Sequence, residues 1–62
     1  MAVHGLLTQL QGPVAEVRFP DGATLPGMGD ILESRTVDGR TVVFEVVEQL
    51  MGGRIRAMAL ST

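Results

Sequence analysis

The residues of this chain that could do chemistry are few and scattered. Glu45 and Glu48 are close enough in sequence to suggest a general acid/base pair, which needs two carboxyl groups held in unlike environments. Their neighbours are apolar, Val46 and Val47 among them, and the pair reads as a solvated strand exterior. Asp21 and Asp30 could offer oxygens to a cation, but the regular ligand spacing of a calcium loop is absent. His4 is the single histidine and has no cysteine partner, and neither Ser34 nor Ser61 lies in a nucleophile motif. His4 therefore reads as an exposed strand residue near the N-terminus. The run Gly27-Met28-Gly29-Asp30-Ile31-Leu32 begins like a dinucleotide-binding glycine turn. It ends in Leu and follows a proline-containing loop where that motif requires a strand. A phosphate-binding P-loop needs a lysine, and all five basic residues here are arginines. The sequence thus assigns no catalytic, metal-binding or cofactor-binding residue and no cofactor.

The charge balance narrows the partners. Five basic residues stand against seven acidic ones, a net charge of −2, with two Phe and no Tyr or Trp. Nucleic-acid binding draws on basic surface and stacking aromatics, so no nucleic-acid partner is expected. Arg54 and Arg56 read as a solvated strand face and not as a phosphate clamp. No apolar run approaches the ~20 residues of a membrane span, so direct membrane insertion is not expected. The start of the chain lacks the basic region of a secretory signal. With 62 residues, 45% of them hydrophobic, and no cysteine, the expectation is one domain, residues 1–62, with one small core.

The elements that must position any site are short strands. Turn signals recur at Gly12-Pro13, Pro20-Asp21-Gly22, Pro26-Gly27, Asp38-Gly39 and Gly52-Gly53, which is the spacing of an all-β sandwich or barrel. The expected strands are His4 to Leu10, Val14 to Phe19, Ile31 to Val37, Thr41 to Met51 and Arg54 to Leu60, with Asp21 to Gly29 a loop. Asp38-Gly39 is expected to form a two-residue type I′ hairpin turn. The segment from Thr41 also fits an amphipathic helix, since Val42, Val43, Val46, Val47 and Leu50 fall at helical spacing. Its Val and Phe content and the glycine turns at both ends favour a strand. Glu45 and Glu48 then differ in parity, and a β-bulge near Val46-Val47 brings both to the outside. Alternation places Val17, Phe19, Phe44, Val46, Ile55 and Ala57 in the core. Val14, Val43 and Met58 fall on the opposite face.

Several pieces in order carry a resemblance. They are Gly12-Pro13-Val14, Glu16-Val17, Phe19-Pro20, Leu25-Pro26, Ile31-Leu32-Glu33, Val43-Phe44-Glu45-Val46, Leu50 and Ile55-Arg56-Ala57-Met58-Ala59-Leu60. Together, over about residues 5 to 62, the chain resembles the N-terminal β-barrel domain of the catalytic beta subunit of the rotary F-type ATP synthase. Gln49 stands where that family commonly has His, and Gly52-Gly53 is a shorter turn than usual.

The resemblance implies an all-β fold, a small closed six-stranded Greek-key barrel. It implies a structural assembly module that holds an alternating hexameric ring together. The implied partners are the homologous barrel domains of neighbouring ATP synthase subunits, with self-association possible for the isolated piece. The implied location is cytoplasmic, peripheral to the inner membrane. The parent subunit is part of a proton-translocating ATP synthase/ATPase, but none of its catalytic or nucleotide-binding residues falls within these positions. In that family the chain continues into a nucleotide-binding domain, so a sequence ending at Ser61-Thr62 implies a domain either excised or separately made, with the completeness of its last strand left open. A rival reading from another class is a free-standing small β-barrel that binds a ligand or peptide.

Overall fold

The structure, a computed structural model, describes residues 3–60; Ser61 lies outside them. Five strands form one antiparallel sheet: β1 (Leu6–Gln11), β2 (Val14–Arg18), β3 (Ile31–Arg35), β4 (Thr41–Leu50) and β5 (Arg54–Ala59). Their spatial order is β1-β2-β5-β4-β3. β3, β4 and β5 are joined by consecutive hairpins, and β2 lies beside β5, which is the Greek-key order. The sheet curls into an open half-barrel whose two free edges are β1 and β3. Among the described residues there is no sixth strand and no closure, so the expected closed barrel is seen here only as its open half.

The core follows from side-chain parity. Ala15, Val17, Phe19, Phe44, Val46, Ile55 and Ala57 are buried, with Leu25, Leu32, Val42 and Ala59 packed against them. All six expected core residues are included, and Ala15 joins them. Ala57 sits between Ala15 on β2 and Val46 on β4 in register. Small residues on the central strand let the sheet coil tightly around the larger Phe19 and Phe44.

Two β-bulges set the curvature. On β4 the register against β5 shifts between Val46 and Glu48. The extra residue is Val47, and Glu45 and Glu48 consequently both face outward, opposite Met58 and Arg56. The bulge is the expected one, and it bends the longest strand of the sheet. The backbone of Val46 is then used by the β2–β3 loop. Gly29 N–H donates to the Val46 carbonyl at 2.8 Å, and Val46 N–H donates to the Asp30 carbonyl at 2.9 Å. A second bulge on β1 shifts the register between Leu7 and Gln9.

Three local expectations are corrected. β1 begins at Leu6, so His4 is exposed but precedes the strand. β3 ends at Arg35, not Val37. The β3–β4 connection is not a two-residue type I′ turn. That turn needs positive φ at both central residues, and here only Gly39 has it, at 88°, while Asp38 does not. A three-residue loop, Val37-Asp38-Gly39, is closed instead by Gly39 N–H to the Thr36 carbonyl at 3.0 Å and Thr36 N–H to the Arg40 carbonyl at 2.8 Å. Thr36 decides the outcome, because its hydroxyl also accepts from Arg40 N–H at 3.0 Å and donates to the Asp38 carboxylate.

Candidate functional site

The main concavity lies between the two free edges. It is a cleft of about 230 Å³, with His4 and Leu7 on the β1 side, Leu32, Glu33 and Ser34 on the β3 side, and the core residues Val17 and Phe19 also lining it. It brings His4, Glu33 and Ser34 to one place, a grouping that the sequence does not reveal because His4 and Ser34 are thirty positions apart. An activated serine needs a base within hydrogen-bond reach. Among the described residues no hydrogen bond joins these three side chains, and the cleft, of mixed polar and apolar lining, is not an assembled nucleophile site.

On the outer face of the sheet two arginines of β5 are paired with carboxylates of the neighbouring strands. Arg54 Nη1 lies 3.2 Å from Glu16 Oε2, linking β5 to β2. Arg56 Nη1 lies 2.5 Å from Glu48 Oε1, linking β5 to β4. The two arginines that could have clamped a phosphate are each engaged by a carboxylate. Arg56 reaches Glu48 only because the β4 bulge turns that residue outward. A third pair, Arg40 to Asp38 at 3.1 Å, sits at the exposed β3–β4 loop. Solvent screens such exposed pairs, so each is a weak contributor to stability. Glu45, opposite Met58 and Ile31, forms no ion pair among the described residues. It does not approach a second carboxylate in the manner of an acid/base couple, since Glu48 is held by Arg56.

Asp21 and Asp30 do not converge. Asp30 Oδ2 accepts from Gly27 N–H at 2.8 Å and closes the loop on itself. The Gly27–Asp30 run is therefore a local turn held by its own aspartate. Among the described residues no group of three or more His, Cys, Asp or Glu side chains is placed to hold a metal ion. No helix of the described residues is long and apolar enough to cross a membrane. The carboxyl of Asp38 is held below its ordinary value, chiefly by the hydrogen bond from the Thr36 hydroxyl.

Val14, Val43 and Met58 lie on the face opposite the core, as their parity requires. Val14 pairs with Met58, and Met58 with Glu45. Val14 and Val43 are half-buried and Met58 is exposed.

The model of the ATP synthase alpha/beta family, beta-barrel domain, matches residues 7–62. The match spans every strand described above except the first residue of β1.

Proposed function

Because the chain belongs to the ATP synthase alpha/beta family through its beta-barrel domain, we propose that it is a structural assembly module of the catalytic beta subunit, holding the alternating hexameric ring together. The match to residues 7–62 carries this reading. The ordered Gly12-Pro13-Val14, Val43-Phe44-Glu45-Val46 and Ile55-Arg56-Ala57-Met58-Ala59-Leu60 pieces favour the beta subunit over its non-catalytic partner. Residues 1–62 act as one domain with no catalytic, nucleotide-binding or metal-binding residue, and the parent complex performs the ATP chemistry elsewhere. The partners are the barrel domains of neighbouring subunits. The location is the cytoplasmic catalytic head, peripheral to the inner membrane.

In the assembled subunit the barrel is closed and six-stranded. The sixth strand lies between the free edges of β1 and β3, over the cleft into the core. The face of β2, β5 and β4, its strands bridged by Arg54–Glu16 and Arg56–Glu48, suits a scaffold that stays fixed while other domains move. In the rival reading the same cleft receives a ligand or peptide in a free-standing barrel.

The test is titration of this chain with the isolated barrel domain of the non-catalytic subunit, followed by sedimentation, and calorimetry with Mg-ATP in parallel. Association with the partner barrel and no saturable heat with Mg-ATP support the module reading. Micromolar binding of Mg-ATP overturns it, as does a failure to associate with any partner barrel.

A further inference from the structure

The outer face of the sheet is divided along its strands. Toward the β4–β5 turn it carries the ion pairs of Arg54 with Glu16 and of Arg56 with Glu48. Further along the same strands the charges give way to an apolar row. The register sets Val14 of β2 beside Met58 of β5, Met58 beside Glu45 of β4, and Glu45 beside Ile31 of β3. Val43 continues the apolar surface on the Glu45 side of β4. Met58 is 42% exposed and Ile31 55%, while Val14, Val43 and Glu45 are half-buried. Glu45 is the one charged member of the row. It forms no ion pair among the described residues, and the two arginines of β5 are held by other carboxylates.

This patch does not depend on how the barrel closes. Val14, Met58 and Glu45 stand on β2, β5 and β4, strands that each have a hydrogen-bonded neighbour on both sides. A strand added at the β1 or β3 edge extends the sheet sideways and leaves their side chains on its exterior.

The chemistry of the patch limits what can cover it. Exposed apolar surface rimmed by polar residues marks an interaction site. A purely apolar partner would strip water from the Glu45 carboxylate and leave it unpaired, which is costly. A second copy of the same patch brings another carboxylate and no cation. A surface that sets one basic side chain among apolar ones meets both demands. It covers Met58, Val14 and Ile31, and it pairs Glu45 where water is excluded.

We propose that the row from Val14 through Met58 and Glu45 to Ile31 is the docking face for a neighbouring barrel domain, which seats one basic side chain on Glu45. This rests on the ring-module reading. That reading supplies the neighbour; the row supplies the face and the group that holds it.

The experiment is a sedimentation titration of the 62-residue chain with the isolated barrel domain of the non-catalytic subunit, with NMR of the methionine methyl groups in parallel. The Met58 methyl resonance should shift on association, and that of Met51, in the β4–β5 turn, should not. Glu45→Gln keeps the shape and removes the charge. It should weaken association at least about tenfold and remove most of its salt dependence, with an unchanged melting temperature. Asp21→Asn makes the same change in net charge on the β2–β3 loop, beyond the other end of β2, and should leave the affinity unchanged. Should Glu45→Gln melt lower, the methyl shifts of the unaltered chain decide. Association that is indifferent to Glu45→Gln, or that leaves the Met58 methyl unmoved, overturns this proposal and leaves the ring reading standing. A parent chain that associates with no partner barrel overturns both.

Discussion

Phe44→Ala tests the core at its most consequential point. Phe44 is 5% exposed and sits at the middle of β4, opposite Leu32 on β3 and Ala59 on β5. It therefore links the β3 edge of the half-barrel to its centre. A buried Phe removes about 150–250 Å² from water. At about 25 cal/mol per Å² the whole residue is worth roughly 4–6 kcal/mol, and the alanine keeps part of it. Adding back a cavity that a thin, open sheet closes only partly, the expected loss is about 3–5 kcal/mol. A chain of 62 residues has a total stability of roughly 3–9 kcal/mol, so the variant should stand at the brink of unfolding. Each kcal/mol shifts the melting temperature of a domain this small by about 4–8 °C, so the midpoint should fall by about 12 °C or more. The chain has no Trp or Tyr, and far-UV circular dichroism is the suitable probe. Val37→Ala, at the fully exposed tip of the β3–β4 loop, is the control and should change stability by less than about 0.5 kcal/mol. If Phe44→Ala melts within a few degrees of the parent, the parity assigned to β4 is wrong and the core argument fails with it.

Gly5→Ala should destabilise by about 1–3 kcal/mol, because a Cβ there comes within 2.6 Å of Val17 Cγ1 and 2.8 Å of Phe19 Cε2; equal urea midpoints for the two proteins refute it. Arg56→Gln removes only the exposed pair with Glu48, so it should cost less than about 1 kcal/mol, and the difference should shrink in high salt; a larger loss that salt does not touch points to a packing role for the Arg56 stem. Thr36→Val removes the hydroxyl that chiefly lowers the Asp38 pKa, and a carboxyl-carbon NMR titration should show that pKa rising toward its ordinary value. The sign of the linkage follows: the folded-state pKa of Asp38 is depressed, so its contribution is fully present above the unfolded-state pKa and is lost as pH falls through the folded-state one. A titration unchanged by Thr36→Val refutes the assigned cause.

Strand order along the chain, the β4 bulge and the identity of the core were legible in the sequence. Alternation in Val14-Ala15-Glu16-Val17-Arg18 and Arg54-Ile55-Arg56-Ala57-Met58 fixes which side faces inward whatever the neighbours are. Glu45 and Glu48 share a surface only if one residue between them is extra, and that parity argument located the bulge. The sequence also excludes a P-loop, since that motif needs a lysine and all five basic residues are arginines. The type I′ turn failed because Asp-Gly is compatible with more than one loop, and the Thr36 hydroxyl selects the longer one. Its bonds to Asp38 and Arg40 reach only two and four residues along the chain, a local signal that the Asp-Gly rule passes over. The β1 bulge was not legible because Leu6-Leu7-Thr8-Gln9 does not alternate, and nothing in the run itself says which of its leucines face the core. Bulge placement there depends on β2, whose own register is locked by β5. The cleft joining His4 to Ser34 likewise exists only in three dimensions. Local side-chain parity is a property of the chain, whereas the meeting of two edges distant in sequence depends on how far the whole sheet coils.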